Sequence, residues 1–161
     1  MIGMQRALRH MAWANQQVYT AVEGLPWGAL GSYVSDPEWV AGRILHHIVD
    51  GAVWYVHCLG IERWRPIPIP ESMDDIRALA AMLAGFDAQI LTAAELDDAV
   101  LEYRDEEGAG TVLRSTLLAQ AVHHATEHRA QLIAALESRG HRTIALDDID
   151  LWAFERVEAS A

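Results

Sequence analysis

The chain has 161 residues, of which 52% are hydrophobic and 22% charged, so it is long enough for one domain and too apolar to be disordered. Its formal net charge is −11 with histidine neutral, and this acidity disfavours binding to nucleic-acid phosphates. The single cysteine, Cys58, excludes an intrachain disulfide and is typical of a reducing compartment.

The N-terminal segment Met1–His10 lacks the apolar core of a signal peptide, and no stretch reaches the roughly 18 uncharged apolar residues of a membrane span. We therefore expect a cytoplasmic protein without a membrane partner. Apolar residues at steps of three and four predict a first helix over Met4–Val22, which Gly24 and Pro26 end. Asn15 is a polar residue on the apolar seam of this helix, where it either lines a pocket or bonds to a neighbouring helix.

Two further helices are predicted before residue 100. The second covers Trp39–Leu59, and its predicted inward face carries Ile44, His47, Gly51, Trp54 and Cys58. Prolines at alternate positions from 66 to 70 exclude a helix there and indicate an extended linker. Ser72 is the predicted N-cap of a third helix, which continues to about Leu96.

The C-terminal third contains one long and one short predicted helix. The segment 100–113 forms either a small hairpin or an irregular loop around the acidic stretch Asp105-Glu106-Glu107. A fourth helix is predicted over Leu113–Ser138 and a short terminal helix over Asp147–Arg156. No repeat or domain boundary is evident. We therefore predict an all-α fold for residues 1–161, a single four-helix bundle with a short C-terminal helix.

Three histidines are the candidate metal ligands. His124 and His128 lie four residues apart on the fourth helix, so they share one face at a distance of one turn. His47, on the predicted inward face of the second helix, could supply a third imidazole. Buried imidazoles need partners for their ring nitrogens, and a metal ion is one such partner. Three histidines with an open position are typical of a catalytic metal site.

Neighbouring residues have more peripheral predicted roles. Asp50, one turn beyond the histidine of the second helix, could orient an imidazole by accepting a hydrogen bond. Gln131 extends the inward face of the fourth helix and could line a pocket. His46 and His123 are turned about 100° away from the candidate ligands, so we expect them outside the site. The six tryptophans are scattered, which indicates packing anchors.

Three segments resemble the DinB/YfiT-like superfamily of metal-binding four-helix bundles. Met11–Asn15 resembles the W-A-N start of that family, and Leu45–Asp50 with Trp54–Tyr55 resembles its ligand segment in the second helix. His124–Leu132 resembles its H-x-x-x-H-R-x-Q-L block, which is the most specific of the three. The order and spacing of these segments match over nearly the whole chain.

The resemblance implies a ligand set of His47, His124 and His128. Ala52 stands where the family commonly has an acidic residue, and Ala130 stands where it often has glycine. Neither difference removes a ligand. Because imidazole suits zinc, nickel and iron alike, the divalent metal ion is undetermined.

The resemblance also implies a function. Relatives include mycothiol-dependent isomerases and bacillithiol S-transferases, so we expect a metal-dependent thiol S-transferase that acts on small electrophiles through a metal-bound thiolate. Its cosubstrate would be a low-molecular-weight thiol, and its assembly a homodimer. Two alternatives stay open: a non-catalytic or inactive metal- or ligand-binding bundle, and a metallohydrolase that uses metal-bound water. The hydrolase needs a carboxylate base, for which Asp50 and Glu127 are the nearby candidates.

Overall fold

The computed structural model describes residues 3–105 and 108–160, and within them it shows four long helices, a two-stranded sheet and a short fifth helix. The helices are α1 (Met4–Glu23), α2 (Ala41–Cys58), α3 (Met73–Ala93), α4 (Arg114–Ser138) and α5 (Leu151–Glu158), and the strands are β1 (Val100–Asp105) and β2 (Gly108–Leu113). Short 3₁₀ turns lie at Trp27–Gly31 and Leu146–Asp148. The residues outside this description include the start of the chain and part of the acidic stretch: Met1, Ile2, Glu106, Glu107 and Ala161.

Side-chain caps explain where two of the helices begin. The Ser72 hydroxyl accepts a hydrogen bond from the backbone N–H of Asp75 at 3.2 Å, so the predicted N-cap of α3 is confirmed. The Asp150 carboxylate accepts from the backbone N–H of Ala153 at 2.7 Å, and α5 therefore begins at Leu151, later than predicted.

The fold is predominantly helical but not purely all-α as predicted, because β1 and β2 pair in an antiparallel sheet. Val100 pairs with Leu113, and Tyr103 pairs with Gly110. The ring of Tyr103 covers Gly110 so closely that a β-carbon there would overlap it. The alternation of apolar and polar residues in the segment 100–113 is short, and the segment contains two glycines. The sequence alone could therefore not distinguish a hairpin from a loop.

The four long helices pack around one apolar core. α1 packs against α3 and α4, and α2 packs against the same two helices. The largest buried side chains of this core include Leu8, Met11, Val18, Ile44, Leu45, Ile76, Leu79, Leu83, Ile90, Leu132 and Leu136. Because α2 and α4 are direct neighbours, side chains on their facing sides can meet.

α3 is long and apolar enough to span a membrane by length and composition alone. Its apolar seam is buried against α1 and α2: Ile76, Leu79, Leu83, Phe86 and Ile90. The packing of the bundle therefore accounts for the apolar character of this helix. The cytoplasmic location stays a prediction.

Candidate metal centre

Three imidazoles from α2 and α4 meet at the edge of the bundle. One ring nitrogen from each of His47, His124 and His128 lies within 4.8 Å of the others. The Nε2 atoms of His47 and His124 are 3.1 Å apart. His128 is buried, whereas His47 and His124 are half-buried, so the cluster has an open side. The structure thus brings together the three residues that the sequence singled out as candidate ligands.

The inward face predicted for α2 was confirmed for Ile44 and Cys58, which are buried, but it is offset from the centre of the observed buried face. The buried side of α2 includes Ile48 and Ala52, whereas His47, Gly51 and Trp54 are half-buried at its edge. α2 is apolar around more than half of its circumference, so the spacing of its apolar residues does not locate the centre of the buried face. The edge position leaves the imidazole of His47 accessible from solvent.

Gln131 determines which nitrogen of His128 is available to a metal ion. The indole Nε1 of Trp39 donates to Gln131 Oε1 at 3.0 Å, and Nδ1 of His128 lies 2.9 Å from the same oxygen. An indole N–H can only donate, so the amide atom facing it is the oxygen, and His128 must donate to it through Nδ1. The lone pair of His128 is therefore on Nε2, where a metal ion can use it.

Two aromatic rings enclose the ligand imidazoles. The ring centre of Trp39 lies 5.3 Å from that of His47 and 5.7 Å from that of His128. On the other side, the ring of Tyr55 meets His124 edge-on at 5.7 Å. The sequence indicated only a packing role for Trp39, which lies two positions before the first residue of α2.

Burial favours the neutral form of the ligands. Burial lowers the pKa of His124 to about 4, and the nearby His128 and His47 act in the same direction. Burial is also the main cause that lowers the pKa of His47. Two neutral imidazoles whose Nε2 atoms lie 3.1 Å apart either share one hydrogen bond or direct both lone pairs at a common cation. A tetrahedral ion with ligand bonds of about 2.05 Å holds its nitrogens about 3.3 Å apart, so the donor set fits a divalent metal ion.

The other histidines and Asp50 lie around this centre. The Asp50 carboxylate raises the pKa of His47 by its charge, against the larger effect of burial. Within the described part of the chain, no imidazole donates a hydrogen bond to Asp50. His123 is exposed, as predicted. His46 points elsewhere, because its Nε2–H donates to the carbonyl oxygen of Ile67 at 2.8 Å.

Asn15 bonds to two neighbouring helices. Its Nδ2 donates to Asp87 at 2.9 Å, and its Oδ1 accepts from Arg129 Nη1 at 2.7 Å. All three residues are buried, and they join α1, α3 and α4. Burial raises the pKa of Asp87 to about 6, although the Asn15 hydrogen bond and the Arg129 charge oppose it. Burial lowers the pKa of Arg129 to about 10.

The sequence reasoning missed Asp87 and Arg129. Asp87 falls between Leu83 and Ile90 at steps of four and three, so it interrupts an apolar seam. A charge at such a position indicates a buried polar network. Asn15 and Asp87 also line a cavity of about 10 Å³ beside His124, which is room for one water molecule.

The match with known proteins agrees with this architecture. A family model described as the DinB family matches residues 3–156. Comparisons with curated proteins and with solved structures found no match. The family match runs from the start of α1 into α5 and covers nearly the whole chain, so this protein belongs to the DinB family.

Proposed function

We propose that this protein is a metal-dependent thiol S-transferase that joins a low-molecular-weight thiol to a small electrophile. The observation that carries this proposal is the cluster of His47, His124 and His128 at a half-exposed edge between α2 and α4. A divalent ion held by three neutral imidazoles keeps both of its charges, so it would lower the pKa of a thiol at the open position. Zinc, nickel and iron all suit these ligands.

The residues of the chain position the ligands and shield them. Gln131 holds His128 with Nε2 toward the centre of the cluster, and Trp39 and Tyr55 cover the ligand rings. In the proposed reaction the thiol loses its proton to solvent water, and its sulfur forms a bond to the electrophilic carbon. The leaving group departs with the bonding electron pair, and the half-exposed side of His47 is the direction from which both reactants approach.

A metallohydrolase is less well supported because it needs a carboxylate aimed at the ion to activate water. Glu127 is exposed, and its carboxylate accepts a hydrogen bond from Gln131 at 3.4 Å. Asp50 is half-buried one turn from His47 and influences it through charge. Neither carboxylate is hydrogen-bonded to a ligand imidazole among the residues that the structure describes.

The second candidate function is a non-catalytic metal-binding bundle. It is favoured by the size of the cavity beside His124, which at about 10 Å³ admits one water molecule and no substrate. An electrophile would therefore have to bind at the open surface of the cluster. A binding protein has no such requirement.

Cobalt-substituted protein separates the two candidates. Cysteine, glutathione or mercaptoethanol should change the visible spectrum of the cobalt as sulfur enters its coordination. Conjugation of each thiol to chlorodinitrobenzene should require both metal and thiol, and His47→Ala should abolish it. Cys58→Ala is the matched control, because Cys58 is buried and burial raises the pKa of its thiol to about 11. An unchanged spectrum together with no rate above the uncatalysed reaction would favour the binding protein.

We further propose that residues 1–161 act as a single domain in a cytoplasmic homodimer, without a nucleic-acid or membrane partner. Support for the dimer comes from α5, which exposes the apolar side chains of Leu151, Trp152 and Val157 that a second copy could cover. Light scattering should then give about twice the chain mass of 17.9 kDa. A mass equal to that of one chain at micromolar concentration would contradict the dimer.

A further inference from the structure

A second cavity lies on another side of α2 and contains none of the three ligand histidines. It has a volume of about 610 Å³, within the range of about 300–1,000 Å³ typical of small-molecule sites. Its walls are the 3₁₀ turn Trp27–Gly31, the first half of α2 and the linker at Ile69 and Pro70. We call this space the linker cavity.

The apolar walls of the linker cavity are unusually accessible. The side chain of Trp27 is 43% exposed and that of Ile69 is 78% exposed, although both are large and apolar. Gly28 and Gly31 carry no side chain that would fill the cavity, and the space where a β-carbon would lie at either position is open. A flat apolar group could therefore stack on Trp27 and remove both side chains from water.

His46 holds the linker in place and contributes an acceptor to the cavity. Its Nε2–H donates to the carbonyl oxygen of Ile67 at 2.8 Å, which ties the linker to α2. In the neutral ring, Nδ1 then carries the lone pair. His46 is one of the residues that line the cavity, so this nitrogen can serve as the acceptor for an N–H or O–H of a ligand.

The linker cavity also contains one charge of each sign. Glu38 and Arg43 both line it, and both side chains are exposed. The ion pairs formed within residues 3–105 and 108–160 join Arg6 and Arg9 to Glu158, and Arg77 to Glu23 and Asp74. Glu38 and Arg43 are thus not paired with each other or with another charged side chain of the described residues. A ligand that carried only a carboxylate would satisfy Arg43 and leave Glu38 facing a like charge.

We propose that the linker cavity binds a small zwitterion with an apolar side chain, of the size and chemistry of an aromatic amino acid. The carboxylate pairs with Arg43, the ammonium group pairs with Glu38 and His46 Nδ1, and the ring stacks on Trp27. This site contains none of the three candidate ligand histidines, although Arg43 lies close enough to His47 to lower its pKa by charge. Binding there does not depend on the proposed transferase reaction.

Three related probes test the assignment of each charge. Phenylalanine carries both charged groups, phenylpropionate carries only the carboxylate, and phenethylamine carries only the ammonium group. Binding is followed through the indole N–H resonance of Trp27 and the amide resonances of Gly28 and Gly31 in the full chain. Phenylalanine should bind most tightly. Loss of one charged partner should weaken its binding about two- to fivefold, as expected for an ion pair between exposed groups.

The variants Arg43→Gln and Glu38→Gln separate the two contacts. Arg43→Gln should weaken the binding of phenylalanine and phenylpropionate but not that of phenethylamine, from which it removes a like charge. Glu38→Gln should weaken the binding of phenylalanine and phenethylamine but not that of phenylpropionate, for the same reason. Arg63→Gln is the matched control, because Arg63 is an exposed arginine that lines a different cavity near the hairpin. His47→Ala protein should bind phenylalanine as the wild type does.

The proposal is overturned if millimolar phenylalanine leaves the Trp27 resonance unchanged, or if neither Arg43→Gln nor Glu38→Gln alters its affinity. It is also overturned if the Trp27 shift depends on protein concentration and not on the probe, since this face would then be a contact between copies of the chain.

Discussion

The imidazole of His124 lies against the backbone of Gly51, so closely that a β-carbon on residue 51 would overlap Cε1 of the ring and lie 3.0 Å from Nδ1. α2 therefore approaches α4 at this point only because residue 51 has no side chain. The same approach brings Nε2 of His124 to within 3.1 Å of Nε2 of His47, one turn earlier on α2. A glycine is thus part of what positions the candidate metal ligands.

Gly51→Ala should weaken metal binding while the bundle still folds. The added methyl group must push the His124 ring away from His47, which separates two of the three ligand nitrogens. We expect the dissociation constant, measured by competition with a chromophoric chelator, to rise about tenfold or more. The matched control is Gly85→Ala, an exposed position of α3 with open space at the β-carbon, which should stabilise the helix by about 0.5–1 kcal/mol and leave metal binding unchanged. Equal metal affinity in the two variants would contradict the role of Gly51.

His124→Ala and His128→Ala should each abolish stoichiometric metal binding, whereas His123→Ala should retain it. The reason is that His123 is exposed and turned about 100° from its neighbour on α4. Metal content of protein purified without a histidine tag checks this, as does the rise in melting temperature that bound metal causes. Similar losses in His123→Ala and His124→Ala would place the metal elsewhere.

Gln131→Leu should lower metal affinity about 10–100-fold, because it removes the acceptor that keeps the proton of His128 on Nδ1. Gln131→Glu is the conservative comparison, since a carboxylate oxygen can still accept from both Trp39 and His128. ¹⁵N NMR of the histidine rings should show a mixture of His128 tautomers in the leucine variant and a single one in the glutamate variant. Wild-type affinity in Gln131→Leu would show that the hydrogen bond does not orient the ligand.

Asp87 should make the stability of the fold depend on pH, because burial raises the pKa of its carboxyl group to about 6. An aspartate in the unfolded chain titrates near 4. Between these values the folded state binds more protons than the unfolded state, so the contribution of Asp87 to the free energy of unfolding falls as pH rises from about 4 to about 6. In urea titrations of metal-free protein, the stability of the wild type relative to Asp87→Asn should decrease across that window. A difference that stays constant or increases with pH would contradict the raised pKa.

The helices could be predicted from the sequence because their signals are local. The apolar residues of α1 and α3 recur at helical spacing, and Ser72 carries a cap that needs only the backbone three residues ahead. The hairpin could not be assigned in this way. Its strands depend on pairing with each other, as between Tyr103 and Gly110, and β1 also packs against α2.

The sequence alone determined that His124 and His128 share one face of α4, since this follows from the geometry of a single helix. Only the tertiary structure decided which residues meet that face. Trp39 reaches Gln131 across 92 positions, and the bond from Arg129 to Asn15 spans 114 positions. Such contacts depend on how α1 and α2 pack against α4 and on which rotamers that packing permits. The spacing of residues along the chain reports neither the packing of the helices nor the rotamers of the side chains. The tautomer of His128 and the buried partners of Asn15 could therefore be identified only in the folded protein.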